Sequence, residues 1–304
     1  MKKTMIAGIL LILVSIFLNF ETSITGAVIS VGQSDLNLAA VVAFLVGVCL
    51  IITSRMQITG GLEKALEEND DVVGVLSFVR HGEKDKEGNL TETGRQQART
   101  YGEAIKKVYE ERNEGNLYIA ASSSPVGRVV DTVKSIMGVE SRYNKPIIQD
   151  ERLTVDFHGP AGKKYGELVK TSGEPSAVSW YVNSEYGEQT AEQFASFLES
   201  QRGNFEAVNK AGRKFHYIAG THGGLVESLL KRVLKRGDRI GFEKLEEMGG
   251  GLGFAEPINF LLKRDGSYAV NFRGQTYGVD MKKLDTLVKK YEHSHPQAKT
   301  EEAA

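Results

Sequence analysis

Residues 72–79, with the sequence VVGVLSFV, run directly into Arg80-His81-Gly82, and this stretch decides the fold prediction. Its first eight residues are apolar and rich in β-branched side chains, which is typical of a central strand buried on both faces. Two basic or titratable side chains and a glycine then follow at the carboxyl end of that strand. In open α/β sheets, ligands bind beyond this end. The stretch therefore predicts an α/β fold with a binding site directly after its first strand.

The same arrangement recurs at two later places in the chain. Residues 117–121 and 215–219 are predicted strands; the segment SSSPVGR at residues 122–128 follows the first, and THGG at residues 221–224 follows the second. In the first of these segments, Ser124-Pro125 is typical of an N-cap followed by proline at the first helical position. Three strand ends are therefore expected to deliver polar residues to one edge of the sheet.

Stretches of helical composition separate the strands, and a hairpin is predicted near the carboxyl terminus. The predicted helices cover residues 93–112, 190–208, 225–236 and 280–291, together with the one that runs from Ser124 to Gly138, and the hairpin covers residues 258–272 and turns at Asp265-Gly266. Alternating strands and helices predict an α/β fold with a mixed, mainly parallel sheet that is flanked by helices.

The side chains brought to this edge match the needs of phosphoryl transfer. Arg80 and Arg128 offer planar, bidentate donors for phosphoryl oxygens. His81 is the candidate nucleophile; it must be neutral at the attacking nitrogen, so its other nitrogen needs an acceptor, most simply a backbone carbonyl. His222 is expected to donate to the equatorial oxygens in the transition state. The hydroxyls of residues 122–124 are interpreted as capping or phosphate-contacting groups.

Taken in order, the segments RHGE (80–83), LTETG (90–94), SSSPVGR (122–128) and THGG (221–224) resemble the histidine phosphatase superfamily, in its phosphoglycerate mutase-like branch. The resemblance runs from about residue 72 to about residue 273. It implies that His81 becomes phosphorylated, and that Arg80, Arg128 and His222 bind the phosphoryl group. The segment GEQT (187–190) also resembles the Gly-Glu-Ser element that precedes a helix in that branch.

The general acid departs from the family pattern. The mutase-like branch carries a glutamate in a Leu-x-Glu-x-x-x-Gly stretch, whereas the matching segment here, LTVDFHG at residues 153–159, has Val155 at that position. Asp156 is the first candidate and Glu151 the second, and Asp156 is equally readable as an ordinary loop residue. A weak acid favours leaving groups that need little protonation, such as a phosphohistidine imidazole. It also leaves open a tethered module that binds phosphorylated ligands without turnover.

The first 58 residues resemble a membrane anchor. Two apolar runs, at about residues 5–20 and 37–54, are at the short end of what a transmembrane helix needs. Lys2 and Lys3 precede the first run and Arg55 follows the second, so both ends are expected on the cytoplasmic side. Two alternatives stay open: the first run is a cleaved signal peptide, or both runs are buried helices of a soluble fold.

These predictions combine into one organisation of the chain. Residues 1–58 are the anchor, 59–71 a linker, 72–292 the catalytic domain and 293–304 a disordered tail. The protein is predicted to be a multi-pass cell-membrane phosphatase with a cytoplasmic catalytic domain, acting on phosphomonoesters or phosphohistidine in a small molecule or a phosphoprotein. The alternatives are an inactive phospho-ligand binding module and a phosphomutase.

Bulk composition limits the other classes of function. A net charge of -1 gives no reason to expect nucleic acid as a partner. The single cysteine, Cys49, excludes an internal disulfide and a structural zinc site. No metal and no organic cofactor are implied by the motifs.

Overall fold

The structure, a computed structural model, describes residues 61–112, 117–138, 146–154 and 159–296. The described residues form one nine-stranded sheet in the order β3-β2-β4-β1-β7-β8-β9-β5-β6. Its strands are β1 (Val72–Arg80), β2 (Leu117–Ser123), β3 (Ile148–Gln149), β4 (Lys214–Thr221), β5 (Leu234–Arg236), β6 (Arg239–Ile240), β7 (Pro257–Lys263), β8 (Tyr268–Phe272) and β9 (Gln275–Val279).

Helices cover the faces of this sheet. They are α1 (residues 61–67), α2 (Glu92–Glu111), α3 (Gly127–Met137), α4 (Pro160–Ser172), α5 (Glu174–Asn183), α6 (Glu185–Lys210), α7 (Leu225–Val233) and α8 (Met281–Ser294). Short 3-10 turns lie at Glu151–Leu153 and Leu245–Met248. The α/β class with a mixed sheet flanked by helices is confirmed.

The sheet is not mainly parallel, and that part of the prediction is wrong. Strands β3, β2, β4 and β1 pair in parallel, whereas every pairing from β1 through β7 to β6 is antiparallel. The cause is connection length. Short turns join β7 to β8 and β8 to β9, and such turns allow only antiparallel pairing, while parallel pairing needs a crossover of a dozen or more residues.

The central strand β1 separates two apolar clusters. Val75 and Val79 pack with helices α1, α2 and α3 on one face, and Leu76 and Phe78 pack with α5, α6 and α7 on the other. Successive side chains of a strand point to opposite faces, so an apolar run without polar alternation buries both. Burial on both faces holds the carboxyl end of β1 in a fixed position.

Two predicted helix boundaries differ from the structure. The helix predicted over residues 225–236 ends at Val233, and Leu234 continues in extended conformation as β5, which pairs with β9. The helix predicted over residues 190–208 begins earlier, because the Ser184 hydroxyl accepts a hydrogen bond from the Gly187 N–H and caps it. The segment 187–190 therefore lies inside the first turns of α6 and does not precede the helix.

The amino-terminal part of the described chain belongs to the core. Helix α1 lies within the predicted linker, yet Leu62 and Leu66 are buried against the α2 face of the sheet. Within the described ranges, we find no helix with the length and apolar character that a membrane crossing requires. Both predicted transmembrane runs, and the predicted tail from residue 297 onward, lie outside the described residues.

Candidate active site

His81 lies one residue beyond β1, at the edge of the sheet where β2 and β4 also end. Its backbone N–H donates to the Thr221 carbonyl of β4 at 3.0 Å, which ties the turn to the neighbouring strand. Its Nδ1 lies 2.8 Å from the Gly82 carbonyl oxygen. Because a carbonyl oxygen only accepts, Nδ1 carries the proton and the lone pair is on Nε2. The backbone acceptor expected from the sequence is therefore present.

Burial keeps the His81 imidazole neutral. It lowers the pKa of His81 to about 3; the Gly82 hydrogen bond opposes this shift, and the positive charges of Arg128 and Arg80 add to it. A neutral imidazole with a free Nε2 lone pair is the form that can attack phosphorus.

His222 faces His81 across the site, with ring centroids 5.5 Å apart and nearly perpendicular planes. Its Nδ1 lies 3.5 Å from Nη2 of Arg128, and its Nε2 lies 3.0 Å from Oγ of Ser124. A guanidinium only donates, so Nδ1 accepts and Nε2 carries the proton. Burial, then the nearby His81 and the two arginines, hold the pKa of His222 well below its ordinary value. The positive surroundings therefore favour two neutral histidines.

The two arginines carry donors that protein groups do not use. Arg80 Nε and Arg128 Nε are both buried and find no hydrogen-bond partner among the described residues. A buried donor without a partner is costly, and such groups cluster where a ligand binds. Burial, and then Arg80, lower the pKa of Arg128. Arg128 nevertheless stays charged at neutral pH, because a guanidinium is not deprotonated in proteins. The site therefore presents positive charge and free donors to an anion.

The second motif of the sequence has a structural role. Thr91 caps α2 by accepting from the Gly94 N–H at 3.0 Å. A side chain on Gly94 would come within 2.3 Å of the Glu83 carbonyl, and one on Gly82 within 2.4 Å of the Gly94 carbonyl. Two glycines are thus required where the turn after β1 packs on the start of α2. This contact fixes the backbone on either side of His81.

Ser124 does not cap a helix, so that interpretation is wrong. Helix α3 begins at Gly127, and Val126, with no side-chain hydrogen bond, occupies the capping position. The Ser124 hydroxyl contacts His222 at 3.0 Å and the Thr154 hydroxyl at 2.8 Å, and its one bond from this segment is a long one, 3.4 Å, from the Val126 N–H that precedes the helix. Because the Ser124 N–H still donates to Gly220 of β4, the chain leaves the sheet too late for a helix to start there.

A glycine-rich loop, which joins the 3-10 turn at Leu245–Met248 to β7, forms a further wall of the site. The Leu252 carbonyl accepts from Arg80 Nη1 at 2.6 Å. The Phe254 ring lies 4.5 Å from the Arg80 guanidinium carbon and 5.8 Å from the His81 ring. Arg273 holds the loop through backbone carbonyls and through Glu256. The run GLGF at residues 251–254 is a sequence signal for close backbone approach, but it does not indicate which residue is approached.

Two acidic side chains also adjoin Arg80, and no local signal in the sequence points to them. Glu174, the first residue of α5, accepts from Arg80 Nη2 at 2.5 Å. Glu227 of α7 is fully buried and accepts from the Gly224 and Leu252 N–H groups. Burial raises the pKa of Glu227, and the hydrogen bonds oppose that rise. Long-range contacts of this kind are set by how α5 and α7 pack on the sheet.

The candidate general acids are placed unequally. Asp156 lies outside the described residues. Glu151 is exposed in the 3-10 turn, where its carbonyl accepts from Gln193. The described residues bring together Arg80, His81, Arg128 and His222, and the exposed Glu151 is not among the residues that contact that group. Among all the residues that the structure describes, no cluster of His, Cys, Asp and Glu side chains is suited to a metal ion.

A comparison with protein families agrees with the geometry of the site. The model of the histidine phosphatase superfamily (branch 1) matches residues 76–245 of this chain, which is more than half of its length. The chain therefore belongs to the histidine phosphatase superfamily.

Individual proteins that match this chain share only a small part of its residues. The 2,3-bisphosphoglycerate-dependent phosphoglycerate mutase 2 of Gloeobacter violaceus is 24% identical over 223 residues, which cover 65% of this chain and 90% of that protein. Among solved structures, a mycobacterial glucosyl-3-phosphoglycerate phosphatase complexed with VO3 is 19% identical, with a TM-score of 0.41, and the match covers 61% of this chain and 92% of that one. A phosphoglycerate mutase from Bacillus anthracis is 16% identical, with a TM-score of 0.40 and coverage of 73% and 98%.

Proposed function

We propose that this protein is a phosphatase that hydrolyses phosphomonoesters or phosphohistidine through a phosphohistidine intermediate on His81. One observation carries the proposal. The neutral His81, with its Nδ1–H held by Gly82, lies beside the unused buried donors of Arg80 and Arg128. A nucleophile with a fixed tautomer next to anion-binding donors is the minimum that in-line phosphoryl transfer requires.

In the proposed mechanism, the Nε2 lone pair of His81 attacks phosphorus while the bond to the leaving oxygen breaks. Arg80 and Arg128 hold the equatorial oxygens, where negative charge is concentrated. Phosphoryl binding opposes the arginine charges that lower the pKa of His222, so that pKa rises in the complex and His222 becomes a better donor. Water then cleaves the Nε2–phosphorus bond and releases inorganic phosphate and a neutral His81.

The leaving oxygen takes up a proton, and Asp156 is the proposed donor, with Glu151 second. Two hydrogen bonds support the choice of Asp156. Thr154, two residues before Asp156 in the sequence, hydrogen-bonds to the Ser124 hydroxyl, which in turn hydrogen-bonds to His222. Glu151 is exposed to solvent and its backbone is tied to α6. Leaving groups that are stable without a proton, such as imidazole or aryl oxide, need this residue least.

The test of the nucleophile is His81→Ala in the full chain. We expect hydrolysis of an aryl phosphate to fall by a factor on the order of 10³ or more. Covalent labelling by a radioactive phosphate donor, stable to base and labile to acid as a phosphoramidate is, should be lost as well. Wild-type turnover by this variant would refute the role of His81. The matched control is His293→Ala, an exposed histidine on α8.

A phosphomutase is the second candidate, favoured by the mutase from Gloeobacter violaceus, 90% of which is covered by the match. A mutase must keep the phosphohistidine intact against water. Incubation with 3-phosphoglycerate, with phosphorus NMR of the products, separates the two functions. Inorganic phosphate as the main product supports the phosphatase, and 2-phosphoglycerate supports the mutase. Tight phosphate binding without either product supports the inactive binding module.

The proposed location is the cell membrane, with residues 5–20 and 37–54 as two spanning helices and the catalytic domain in the cytoplasm. The support is the placement of Lys2, Lys3 and Arg55 outside the apolar runs. Protease added to intact cells should leave the domain undigested, and digestion should follow only after lysis. Digestion in intact cells would reverse the topology, and recovery of the domain in the soluble fraction would remove the anchor.

A further inference from the structure

Glu174 occupies one end of the guanidinium that the mechanism assigns to phosphate binding. Its carboxylate lies 2.5 Å from Arg80 Nη2, while Nη1 is bonded to the Leu252 carbonyl. Among the described residues, Arg80 Nε has no hydrogen-bond partner, so it can donate to a ligand, and it lies next to Gly223, since a side chain there would come within 3.3 Å of it. Arg80 therefore has a phosphoryl-binding edge near His222 and an opposite edge held by a carboxylate.

The Glu174 side of Arg80 is its more exposed side. The Arg80 side chain is 9% exposed, whereas the Glu174 side chain is 42% exposed. The Phe254 ring covers the guanidinium face. A substrate whose phosphoryl group contacts Arg80 and whose leaving group extends towards this more exposed side places that leaving group close to Glu174.

Negative charge dominates that side of Arg80. Glu174 already neutralises the guanidinium, and Glu227 lies within electrostatic range of it. The phenol of Tyr165 on α4 is near the Glu174 carboxylate; burial and then this carboxylate raise its pKa to about 12, so it stays neutral. None of these three residues supplies a positive charge for a second anion on the substrate; Lys84 acts instead on His81 and His222, where the phosphoryl group binds.

We propose that Glu174 is a specificity-determining residue that selects against phosphomonoesters bearing a second anionic group next to the transferred phosphoryl group. The selected substrates carry a neutral or cationic leaving group, such as a polyol, an amino alcohol or an imidazole. Repulsion between like charges a few ångströms apart in a partly desolvated site is worth about a factor of ten in binding. This inference rests on the proposed phosphatase function, because it concerns the leaving group of the same reaction.

The experiment compares two substrates that differ in one group. Glycerol 3-phosphate and 3-phosphoglycerate have the same three-carbon chain, and the second carries a carboxylate in place of a hydroxymethyl group. We measure kcat/KM for both with the full wild-type chain and with Glu174→Gln. Glutamine keeps an oxygen that accepts from Arg80 Nη2, so the variant removes charge while keeping the shape. The wild-type ratio should favour glycerol 3-phosphate, and the variant should reduce that ratio by about tenfold.

The control is Glu167→Gln on α4, which changes the net charge equally. Glu167 is exposed and pairs with Lys164 at 3.7 Å, so its charge is already used on the surface of α4. Its substrate ratio should equal that of the wild type. If Glu174→Gln changes both substrates by the same factor, Glu174 only positions Arg80 and the proposal is overturned. An unchanged ratio or a wild-type preference for 3-phosphoglycerate overturns it too.

A binding measurement separates this proposal from the proposed function. Calorimetric titration of both compounds into His81→Ala, with and without Glu174→Gln, reads selectivity where no turnover occurs. The Kd for 3-phosphoglycerate should fall about tenfold with Glu174→Gln, and the Kd for glycerol 3-phosphate should change much less. If wild-type protein hydrolyses neither compound but shows this shift, the phosphatase function fails and the selectivity stands. If both compounds are turned over but Glu174→Gln changes neither the kcat/KM ratio nor the Kd values, the phosphatase function stands and the selectivity proposal is overturned.

Discussion

Two buried polar clusters lie along the parallel strands β1 and β4, and they differ in how completely their hydrogen-bonding groups are paired. In the middle of the sheet, Ser77 of β1, His216 of β4 and Asn259 of β7 form one cluster with Tyr101 and Tyr109 of α2. Both ring nitrogens of His216 have partners there, Ser77 Oγ at 2.8 Å and the Tyr109 hydroxyl at 2.9 Å. We call this group the core polar cluster.

Beyond the carboxyl ends of β1 and β4, by contrast, Arg80 and Arg128 each keep a buried N–H without a partner among the described residues. Burial lowers the pKa of His216 and of His81 alike to about 3, so a perturbed histidine does not distinguish the two regions. The unused donors and the concentration of positive charge do distinguish the two regions. A satisfied buried histidine stabilises the fold, whereas one beside unsatisfied cations marks a place for an anion.

The largest effect should come from the site. Arg128→Ala removes an anion donor next to His222, and we expect kcat/KM for an aryl phosphate to fall by about 10² to 10³. Urea denaturation should show a stability close to that of the wild type, because the contact that this variant loses, from Arg128 Nη2 to His222 Nδ1, is long at 3.5 Å and therefore weak. Arg95→Ala, on α2 and paired with Asp131, is the control and should retain activity. A large loss of stability in Arg128→Ala would place it with the core polar cluster.

The converse holds for the core polar cluster. His216→Ala leaves the Ser77 and Tyr109 hydroxyls without a partner and creates a cavity, so the free energy of unfolding should fall by about 2 to 4 kcal/mol. Turnover per folded molecule should stay unchanged. A specific loss of kcat in a protein that is fully folded by circular dichroism would show that His216 belongs to the catalytic apparatus.

The general acid offers a sharper test of the site. Asp156→Asn should lower turnover of an alkyl phosphate by about 10² and leave an aryl phosphate within a few-fold of the wild type, because a good leaving group needs less protonation. Glu151→Gln is the paired control. Equal losses on both substrates, or none, would remove Asp156 from the role.

Per pH unit, the smallest effect is a dependence of stability on pH. The unfolded pKa of His216 is about 6.5 and its folded pKa is about 3, so only the unfolded state binds the proton between these values. Stability is therefore fully present above about pH 6.5 and falls as the pH decreases, by about 1.4 kcal/mol per pH unit for this group. His216→Gln should reduce the measured slope by one proton. An unchanged slope would mean that His216 is protonated in the folded protein.

Much of the site was predictable because it follows from strand ends. The apolar run of β1 and its polar triplet place His81, and the matching ends of β2 and β4 place Ser124 and His222, through the geometry of parallel pairing. The capping role of Ser124 was wrong because a hydroxyl bonds to whichever partner the fold brings near, here His222 and Thr154. Local preference for a capping position is a weak signal beside such contacts.

The sequence by itself determined the α/β class, the family and the candidate residues Arg80, His81, Arg128 and His222, since each depends on a short segment read in place. Tertiary structure alone decided that Glu174 holds Arg80, that Phe254 covers it and that β7 pairs with β1 in antiparallel orientation. Glu174 and Arg80 are 94 residues apart in sequence, and only the packing of α5 beside the strand ends brings them together. Short segments specify local chemistry, whereas the charge around that chemistry depends on contacts between distant elements.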